Sequence, residues 1–501
     1  MKTNKTKFKL ARWALCMPLA ALLAAGGCMV GPNYSPPATT MPAVYGEPIE
    51  RPTTTASGSP DETTSEIHWW NRFADPEIAS LVQRAVAANN SIKVAQARVL
   101  QARAAREIAQ SLLYPEVDVG ASVMRYQTGE AVFATPDLNV QGNLFQLGVD
   151  ASWVVDAFGG TRRLIQSAQA QEEGANWDRR QVIVVVAAET ARAYVELRGA
   201  QRQLEVARAT LSEQQQTLAV TREKQRNGMA SELEIARAKT EVQATAADIP
   251  PIQQAIREYI HVLSTLLALE PMALSSELTP SAPIPGAPRE LAIGVPSDLL
   301  RRRPDIQAAE RELARSTAMV GVATAAMFPQ MVLGGAAGLA SRKTGDLFNG
   351  NSSDNPSDYY VAGPFINWTL FDAGRRKAAV KLTEAEVDAA KASYSDTVLR
   401  AFSEVESALV AVDRARAQVN ELELLSASAR EALNIAQNDY RMGLLDQFTV
   451  IDAQRQSSRA DMLLAQGQIA LTADVVSLYE AIGGGWESAE ATPATQPTSR
   501  Q

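Results

Sequence analysis

Residue types that carry acid–base, nucleophilic or metal chemistry are scarce in this sequence. The only histidines are His68 and His261, and the only cysteines are Cys16 and Cys28. Two separated histidines, with both cysteines near the N-terminus, cannot supply a zinc cluster or a histidine-based catalytic triad. The sequence also lacks a phosphate-binding glycine loop and a dinucleotide fingerprint. We therefore predict no enzymatic activity and expect no metal or small-molecule cofactor.

The surroundings of Cys28 predict a covalent modification. Basic residues between positions 2 and 12 precede an apolar run over 13–25, and two glycines lead into Cys28. This order indicates a secretory signal peptide over residues 1–27, and the apolar run is too short to span a membrane. Small residues before a cysteine resemble the lipidation box of bacterial lipoproteins. We expect Cys28 to begin the mature chain and to carry diacylglycerol and palmitate, which would hold it in a membrane leaflet.

The charge of the chain argues against nucleic acid as a partner. The formal net charge is −8, and removal of the five basic residues of the leader would lower it to −13. Such a polyanion lacks the clustered lysines and arginines that neutralise phosphates. A mature body without cysteine apart from Cys28 suits an oxidising compartment such as the periplasm.

An internal duplication organises the sequence. An offset of 214 to 215 residues brings unlike features of the two halves into register over more than 150 residues. The matched features are Tyr114-Pro115 with Phe328-Pro329, Trp153 with Trp368, Gly159 with Gly374, Glu189 with Glu404, Arg226-Asn227-Gly228 with Arg441-Met442-Gly443, and Leu263 with Leu478.

The duplication and the proline content predict the division of the chain. Prolines crowd the segment between the halves, which predicts an extended connector because proline removes backbone donors. The predicted parts are a signal peptide (1–27), a lipidated extended segment (28–66), a first repeat of helix, β-hairpin and long α-hairpin (67–270), a proline-rich connector (271–296), a second repeat of the same elements (297–486) and a disordered tail (487–501).

Each repeat is predicted to open with one helix and then a β-hairpin. The helices are expected over 75–112 and 297–326, each ended by an aromatic-proline pair. In the first repeat, apolar residues alternate with polar ones and glycine over 116–125 and again up to Trp153, which is typical of membrane-spanning barrel strands. The equivalent strands of the second repeat are predicted over 330–339 and 359–368.

Long α-hairpins follow the strands. Proline is absent from 159–226 and from 374–441, which predicts helices about 100 Å long. Apolar and small residues recur at steps of three and four from Val182 to Leu218, the pattern of a coiled coil. The helices are predicted to turn at Asn227-Gly228 and Met442-Gly443 and to return as far as about Leu269 and Ile482.

The strands predict an assembly of several chains. No run after Cys28 approaches 18 apolar residues, so a membrane crossing would require strands closed into a barrel. Four strands cannot close around a lumen, whereas three chains would supply twelve. We therefore expect a homotrimer in which a 12-stranded transmembrane β-barrel is continued by a helical coiled-coil barrel. Trp153 and Trp368 would lie where this barrel meets the membrane interface.

The segment Cys28-Met29-Val30-Gly31-Pro32-Asn33-Tyr34, the spacing from tryptophan to glycine and both hairpin tips resemble the TolC-like outer-membrane factors of the OprM and NodT type. The resemblance covers nearly the whole mature chain. It implies a passive exit duct for drugs or other toxic small molecules in the outer membrane of a Gram-negative bacterium. The implied partners are a periplasmic adaptor, or membrane fusion protein, and an inner-membrane transporter of the RND type.

The resemblance also implies roles for residues at the helix tips. Gly228, Gly443 and Leu444 match the tip positions that receive the adaptor, and Asp452 and Arg455 match a pair that constricts the pore. Arg237 occupies the position of Asp452 in the first repeat. A carboxylate repeated around a threefold axis would form a negative ring. We predict that Arg237 or Arg455 bonds Asp452 across a helix pair in the closed channel.

Two other readings remain open. The same fold could serve type I protein secretion, although the lipoprotein start favours efflux of small molecules. A periplasmic coiled-coil scaffold would keep the helices but would not need alternating strands.

Overall fold

The computed structural model of the protein describes residues 28–38, 42, 44–46, 68–73, 75–128, 140–288, 291, 296–349 and 357–487. The predicted signal peptide and residues 488–501 of the predicted tail lie outside the described residues. The described residues form two compact units: those of unit 1 lie within Met1–Pro37, Leu100–Gly174 and Glu310–Ser393, and those of unit 2 lie within Ala38–Val99, Ala175–Ala309 and Tyr394–Gln501.

Unit 1 contains a four-stranded antiparallel sheet in the order β1-β2-β3-β4. The strands are β1 (Glu116–Thr128), β2 (Val140–Val155), β3 (Gln330–Ser341) and β4 (Asp358–Asn367). The β1 and β2 strands extend beyond the predicted segments because the antiparallel register continues as far as the pair Thr128 and Val140.

The register of β1 and β2 places the apolar residues of both strands on the same face of the first hairpin. Val119 pairs with Val149, and Val117 and Val123 pair with Ala151 and Phe145. On the opposite face the directly paired residues are polar or glycine: Asp118 with Asp150, Gly120 with Gly148, and Ser122 with Gln146. Residues two apart in a strand share a face, so this hairpin has one apolar and one polar surface.

The helices begin and end near the predicted positions, with two interruptions. They are α1 (Pro76–Ala88), α2 (Asn90–Ser111), α3 (Gly160–Arg226), α4 (Glu232–Leu266), α5 (Ser275–Leu278), α6 (Pro296–Arg302), α7 (Pro304–Ala325), α8 (Thr344–Asn349), α9 (Arg375–Met442) and α10 (Gln447–Ile482). The order of helix, two strands, long helix and return helix thus occurs twice.

The first predicted helix, 75–112, is in fact two helices. Asn89 leaves the helical conformation, and its Oδ1 accepts the backbone N–H of Ser91 at 2.7 Å, which caps α2. Its Nδ2 donates to the Leu266 carbonyl at 2.8 Å. The hydrogen bond to Leu266, which is distant in sequence, therefore stabilises the break between α1 and α2.

The predicted helix over 297–326 is also interrupted, between α6 and α7. The buried Arg303 separates them, and Pro304 begins α7, where its missing N–H costs little. Within the predicted extended connector, Ser275–Leu278 forms a short helix, and the following residues 281–288 have no regular structure.

The core of unit 2 packs the long helices around a short 3₁₀ helix, Trp69–Phe73. Trp69 is 1% exposed and stacks on Tyr479 of α10 at 5.3 Å between ring centroids. Of the described helices, α10 alone is long and apolar enough to cross a bilayer. Since Val475, Val476 and Leu478 are buried in this core, α10 behaves as a core helix.

Candidate functional site

A buried arginine in unit 1 binds the segment that follows Cys28. Arg163, on the first turn of α3, is 2% exposed. Its Nε donates to the Val30 carbonyl at 3.0 Å, and one terminal nitrogen donates to the Gly31 carbonyl at 3.0 Å and to Asn33 Oδ1 at 2.9 Å. Burial lowers the pKa of Arg163 from its ordinary value. The bonds compensate for removing the guanidinium from water.

Close backbone approaches hold the same segment in place. We call Arg163 and the segment that it binds, Val30 to Asn33, the clamp. Gly31 has φ +85°, and a Cβ there would lie 2.5 Å from Gly321 Cα. Gly159, with φ +78°, meets Met29 in the same way, at 2.8 Å from its Cα. The Val30 N–H donates to the Phe158 carbonyl at 3.1 Å. Cys28 is exposed immediately before the clamped residues, so its thiol is accessible.

The two helix tips of unit 2 have the same backbone structure. Gly228 and Gly443 have φ values of +76° and +80°, which permit the left-handed turn that ends α3 and α9. The N–H of the following residue reaches back five positions in each, from Met229 to Lys224 at 2.8 Å and from Leu444 to Asp439 at 2.9 Å. Met229 and Leu444 are 68% and 70% exposed. Apolar side chains therefore occupy equivalent exposed positions at both tips.

Side-chain caps begin the return helices beside these tips. Ser231 forms a reciprocal capping box with Glu234 at the start of α4. Asp446 accepts the Thr449 N–H at 2.8 Å at the start of α10, and its bonds to Thr449 hold the Asp446 pKa below its ordinary value. The capping residues Ser231 and Asp446 thus determine where the two return helices begin.

Buried and partly buried polar side chains join α3 to α9 and α10 near the tips. Gln454 donates to Thr217 Oγ1 at 2.8 Å, and Gln447 donates to Thr221 Oγ1 at 3.0 Å. The Tyr440 hydroxyl lies 3.2 Å from Thr221 Oγ1, and Lys224 donates to the Tyr440 carbonyl at 2.6 Å. We call these residues the polar seam: Thr217, Thr221, Lys224, Tyr440, Gln447 and Gln454.

The predicted gate residues lie on exposed helix surfaces in unit 2. Asp452 accepts a hydrogen bond from Gln456 at 2.6 Å. Arg455 donates through Nε to Glu241 of α4 at 2.9 Å and through a terminal nitrogen to the other Glu241 oxygen. Within the described part of this single chain, neither Arg237 nor Arg455 is bonded to Asp452. A bond from either arginine to Asp452 therefore stays a prediction for assembled chains.

Glu241 was not anticipated from the sequence. A signal was present, because Glu241 follows Arg237 by four residues on one helix face and precedes Arg455 by 214 residues, close to the repeat offset. The bond to Glu241 raises the Arg455 pKa above its ordinary value, and the nearby Asp452 adds to this effect.

The two predicted interface tryptophans make equivalent bonds in unit 1. Trp153 Nε1 donates to the Leu113 carbonyl at 2.9 Å, and Trp368 Nε1 donates to the Met327 carbonyl at 3.2 Å. Trp368 lies just after β4 and is 53% exposed. An indole with its N–H satisfied and its ring partly exposed suits a boundary between apolar and polar surroundings.

The described residues contain no group of three or more histidine, cysteine or acidic side chains arranged for a metal ion. A four-stranded antiparallel sheet combined with two helices of 67 and 68 residues is typical of channel proteins with the TolC-like outer-membrane fold.

Comparison with known proteins agrees with this class. The family model described as outer membrane efflux protein matches residues 81–268 and 295–484, and the chain belongs to this family. It is 33% identical over 442 residues to the pyoverdine export outer membrane protein OpmQ of Pseudomonas putida, covering 86% of this chain and 91% of that protein. It is 29% identical to Nodulation protein T of Rhizobium leguminosarum over 94% of this chain and 97% of that one.

Solved structures show the same fold. The outer-membrane channel OprN is 33% identical and matches with a TM-score of 0.80 over 92% of this chain and 100% of that chain. The Campylobacter jejuni channel CmeC, at 23% identity, matches with a TM-score of 0.83 over 91% of this chain and 95% of that chain, a likeness of fold.

The predicted family, TolC-like fold, outer-membrane location and role in efflux are confirmed. The chain is an outer-membrane component of an efflux pump. Members of its family form trimeric channels that work with other pump components, and the family's role is that of a duct.

Proposed function

We propose that three copies of this chain close a twelve-stranded barrel and form a passive exit duct for small organic molecules. The observation that carries the proposal is the sheet of unit 1. Among the residues that the structure describes, this sheet has four strands, and β1 and β4 are its edges. Open edges are not tolerated in hydrocarbon, and three sheets joined edge to edge satisfy their backbone groups.

The exposed apolar face of the sheet supports its insertion in lipid. Val117, Val119 and Val123 are 61%, 77% and 73% exposed in one chain. They lie on the face opposite Asp118 and Asp150, so lipid would contact the valines and water the carboxylates.

The duct is proposed to be anchored through acyl chains on Cys28. The clamp at Arg163 supports this role, because it holds the residues that follow Cys28 while the cysteine stays exposed. Replacement of Cys28 by serine should abolish labelling by radioactive palmitate. Retained labelling would contradict the lipoprotein assignment.

The helix tips are proposed to receive a periplasmic adaptor that links the duct to an RND-type inner-membrane transporter. The exposed pair Met229 and Leu444, at equivalent positions of the two tips, supports this docking role. Asp452 and Arg455 are proposed to line the constriction just inside the tips, with Arg237 on the neighbouring return helix.

Small organic molecules are the proposed substrates because relatives are named for exporting them. The relatives' names include pyoverdine export, antibiotic efflux and solvent efflux. The test is a deletion strain challenged with antibiotics, solvents and metal ions, alongside conductance of purified trimers in planar bilayers. Unchanged susceptibility to all three, with loss of a secreted protein, would replace this proposal by protein secretion. A water-soluble monomer without pore activity would refute the duct itself.

A further inference from the structure

Arg455 has a partner within its own chain that competes with Asp452. The guanidinium donates from two nitrogens to both oxygens of Glu241, a bidentate arrangement that is stronger than a single ion pair. The Glu241 side chain is 13% exposed, whereas that of Arg455 is 60% exposed. The Glu241 carboxylate is thus mostly enclosed by neighbouring atoms, whereas the Arg455 side chain extends to it from the exposed surface.

Asp452 lies three residues before Arg455, on the same exposed side of α10. Residues at this spacing on a helix are close enough to form an ion pair. In the structure Asp452 bonds the neutral Gln456 instead. Arg455 is therefore bonded to Glu241, and it forms no ion pair with its helical neighbour Asp452 in this chain.

We propose that Glu241 is a positioning residue of the gate: it binds Arg455, which would otherwise be free to form an ion pair with Asp452, and so leaves the Asp452 carboxylate without an ion pair at the constriction. This inference rests on the proposed gate role of Asp452. Three such carboxylates around an axis would make the narrowest part of the duct prefer cations. Two further exposed arginines, Arg237 of α4 and Arg459 of α10, are unchanged in all the variants below, so they do not affect the order of the variants.

The charges of the three residues predict the effect of each substitution. Per chain, Asp452 and Glu241 each contribute −1 and Arg455 contributes +1. Glu241→Gln releases Arg455, which then pairs with Asp452, so cation preference should fall. Arg455→Gln should increase cation preference. Glu241→Gln combined with Arg455→Gln leaves Asp452 alone and should restore the wild-type preference.

The measurement is the reversal potential of full-length trimers in planar bilayers under a KCl gradient. Low salt is required because the screening length is about 10 Å at 0.1 M. Glu241→Gln should shift the reversal potential toward zero, and adding Asp452→Asn should move it to the anion-selective side. Asp248→Asn is the matched control, since Asp248 is an exposed acid seven residues further along the same helix. Its reversal potential should equal that of the wild type.

Two outcomes separate this inference from the proposed gate. If Asp452→Asn changes the reversal potential but Glu241→Gln does not, the positioning role is overturned and the gate stands. If Asp452→Asn also changes nothing, both are overturned. A loss of selectivity in Glu241→Gln that Arg455→Gln fails to restore would indicate a structural defect and would also overturn the proposal.

Discussion

Gly31 and Gly321 lie in backbone contact: a Cβ on Gly31 would lie 2.5 Å from the Gly321 Cα. This contact lies between the segment that follows Cys28 and helix α7, both in unit 1. It leaves no space for a side chain on Gly31, and φ of +85° there adds conformational strain for any other residue type. A Cβ on Gly321 would instead lie 2.7 Å from the Arg163 side chain.

Gly31→Ala should loosen the N-terminal clamp. The left-handed backbone alone should cost about 1–3 kcal/mol, and the contact with Gly321 adds to it. Hydrogen exchange at the Val30 amide, which donates to Phe158, should accelerate at least severalfold. Gly286→Ala is the control because a Cβ there meets nothing within 4 Å. Equal exchange in the two variants would show that the clamp does not depend on this approach.

The neighbouring Tyr359 and Tyr360 on β4 test which face of the sheet meets water. Tyr359 shares the row of Gly120, Gly148 and Gly338, on the polar face, and Tyr360 pairs with Ala337 on the opposite face. Tyr359→Cys should react with a charged, water-soluble maleimide in intact outer membranes, whereas Tyr360→Cys should be protected by lipid. After signal removal Cys28 is the only other cysteine. The reverse labelling pattern would reverse the assignment of the faces.

Removal of the Tyr440 hydroxyl should weaken the polar seam. Tyr440→Phe loses the bond to Thr221, worth about 0.5–1.5 kcal/mol, while the aromatic ring that Lys224 contacts at 3.5 Å is retained. We expect faster protease cleavage at the tips and a higher conductance of purified trimers. Tyr114→Phe, at a tyrosine 71% exposed, should change neither. If Tyr440→Phe showed the protease cleavage and conductance of the wild type, the polar seam would not be what holds the helix tips together.

The charge of Glu213, on α3, should destabilise unit 2 at neutral pH, and this destabilisation should disappear in acid. Burial, followed by the nearby Asp461, raises the Glu213 pKa above its ordinary value of 4.5, and Arg430 opposes this shift. The ionised carboxylate therefore destabilises the folded state above the raised pKa, and this penalty disappears as the pH falls through the raised value toward 4.5.

Glu213→Gln should raise the thermal dissociation temperature of the trimer at pH 7.5 by a few degrees at most. The gain should vanish at pH 3, well below the ordinary value of 4.5, where Glu213 is neutral in both folded and unfolded chains. Glu232→Gln, at an exposed position of α4, is the control. A gain of equal size at both pH values would mean that the charge of Glu213 is not the cause.

Much of the fold could be predicted because it depends on local patterns. The alternation in β1 and β2 predicted which residues share a face, and the register agrees for every pair from Val117 with Ala151 to Val123 with Phe145. The ends of α3 and α9 could be predicted because Gly228 and Gly443 adopt a backbone conformation that favours glycine.

The interruptions of the opening helices could not be predicted from the same patterns. Asn89 stands within an otherwise regular apolar periodicity, and its side chain is satisfied by Leu266, which is 177 residues away in the chain. No local preference reveals such a partner. The clamp at Arg163 escaped prediction for the same reason, since its acceptors lie more than 100 residues before it.

The sequence by itself determined the repeated unit, the two-faced strands, the length and turning points of the long helices, and Cys28 as the candidate anchor. These features follow from periodicity and from the conformations that single residues permit. Only the tertiary structure decided which charged and polar side chains meet, such as Arg455 with Glu241 rather than with Asp452. That choice depends on how distant segments pack, because alternative ion pairs differ by less energy than the packing that brings them together.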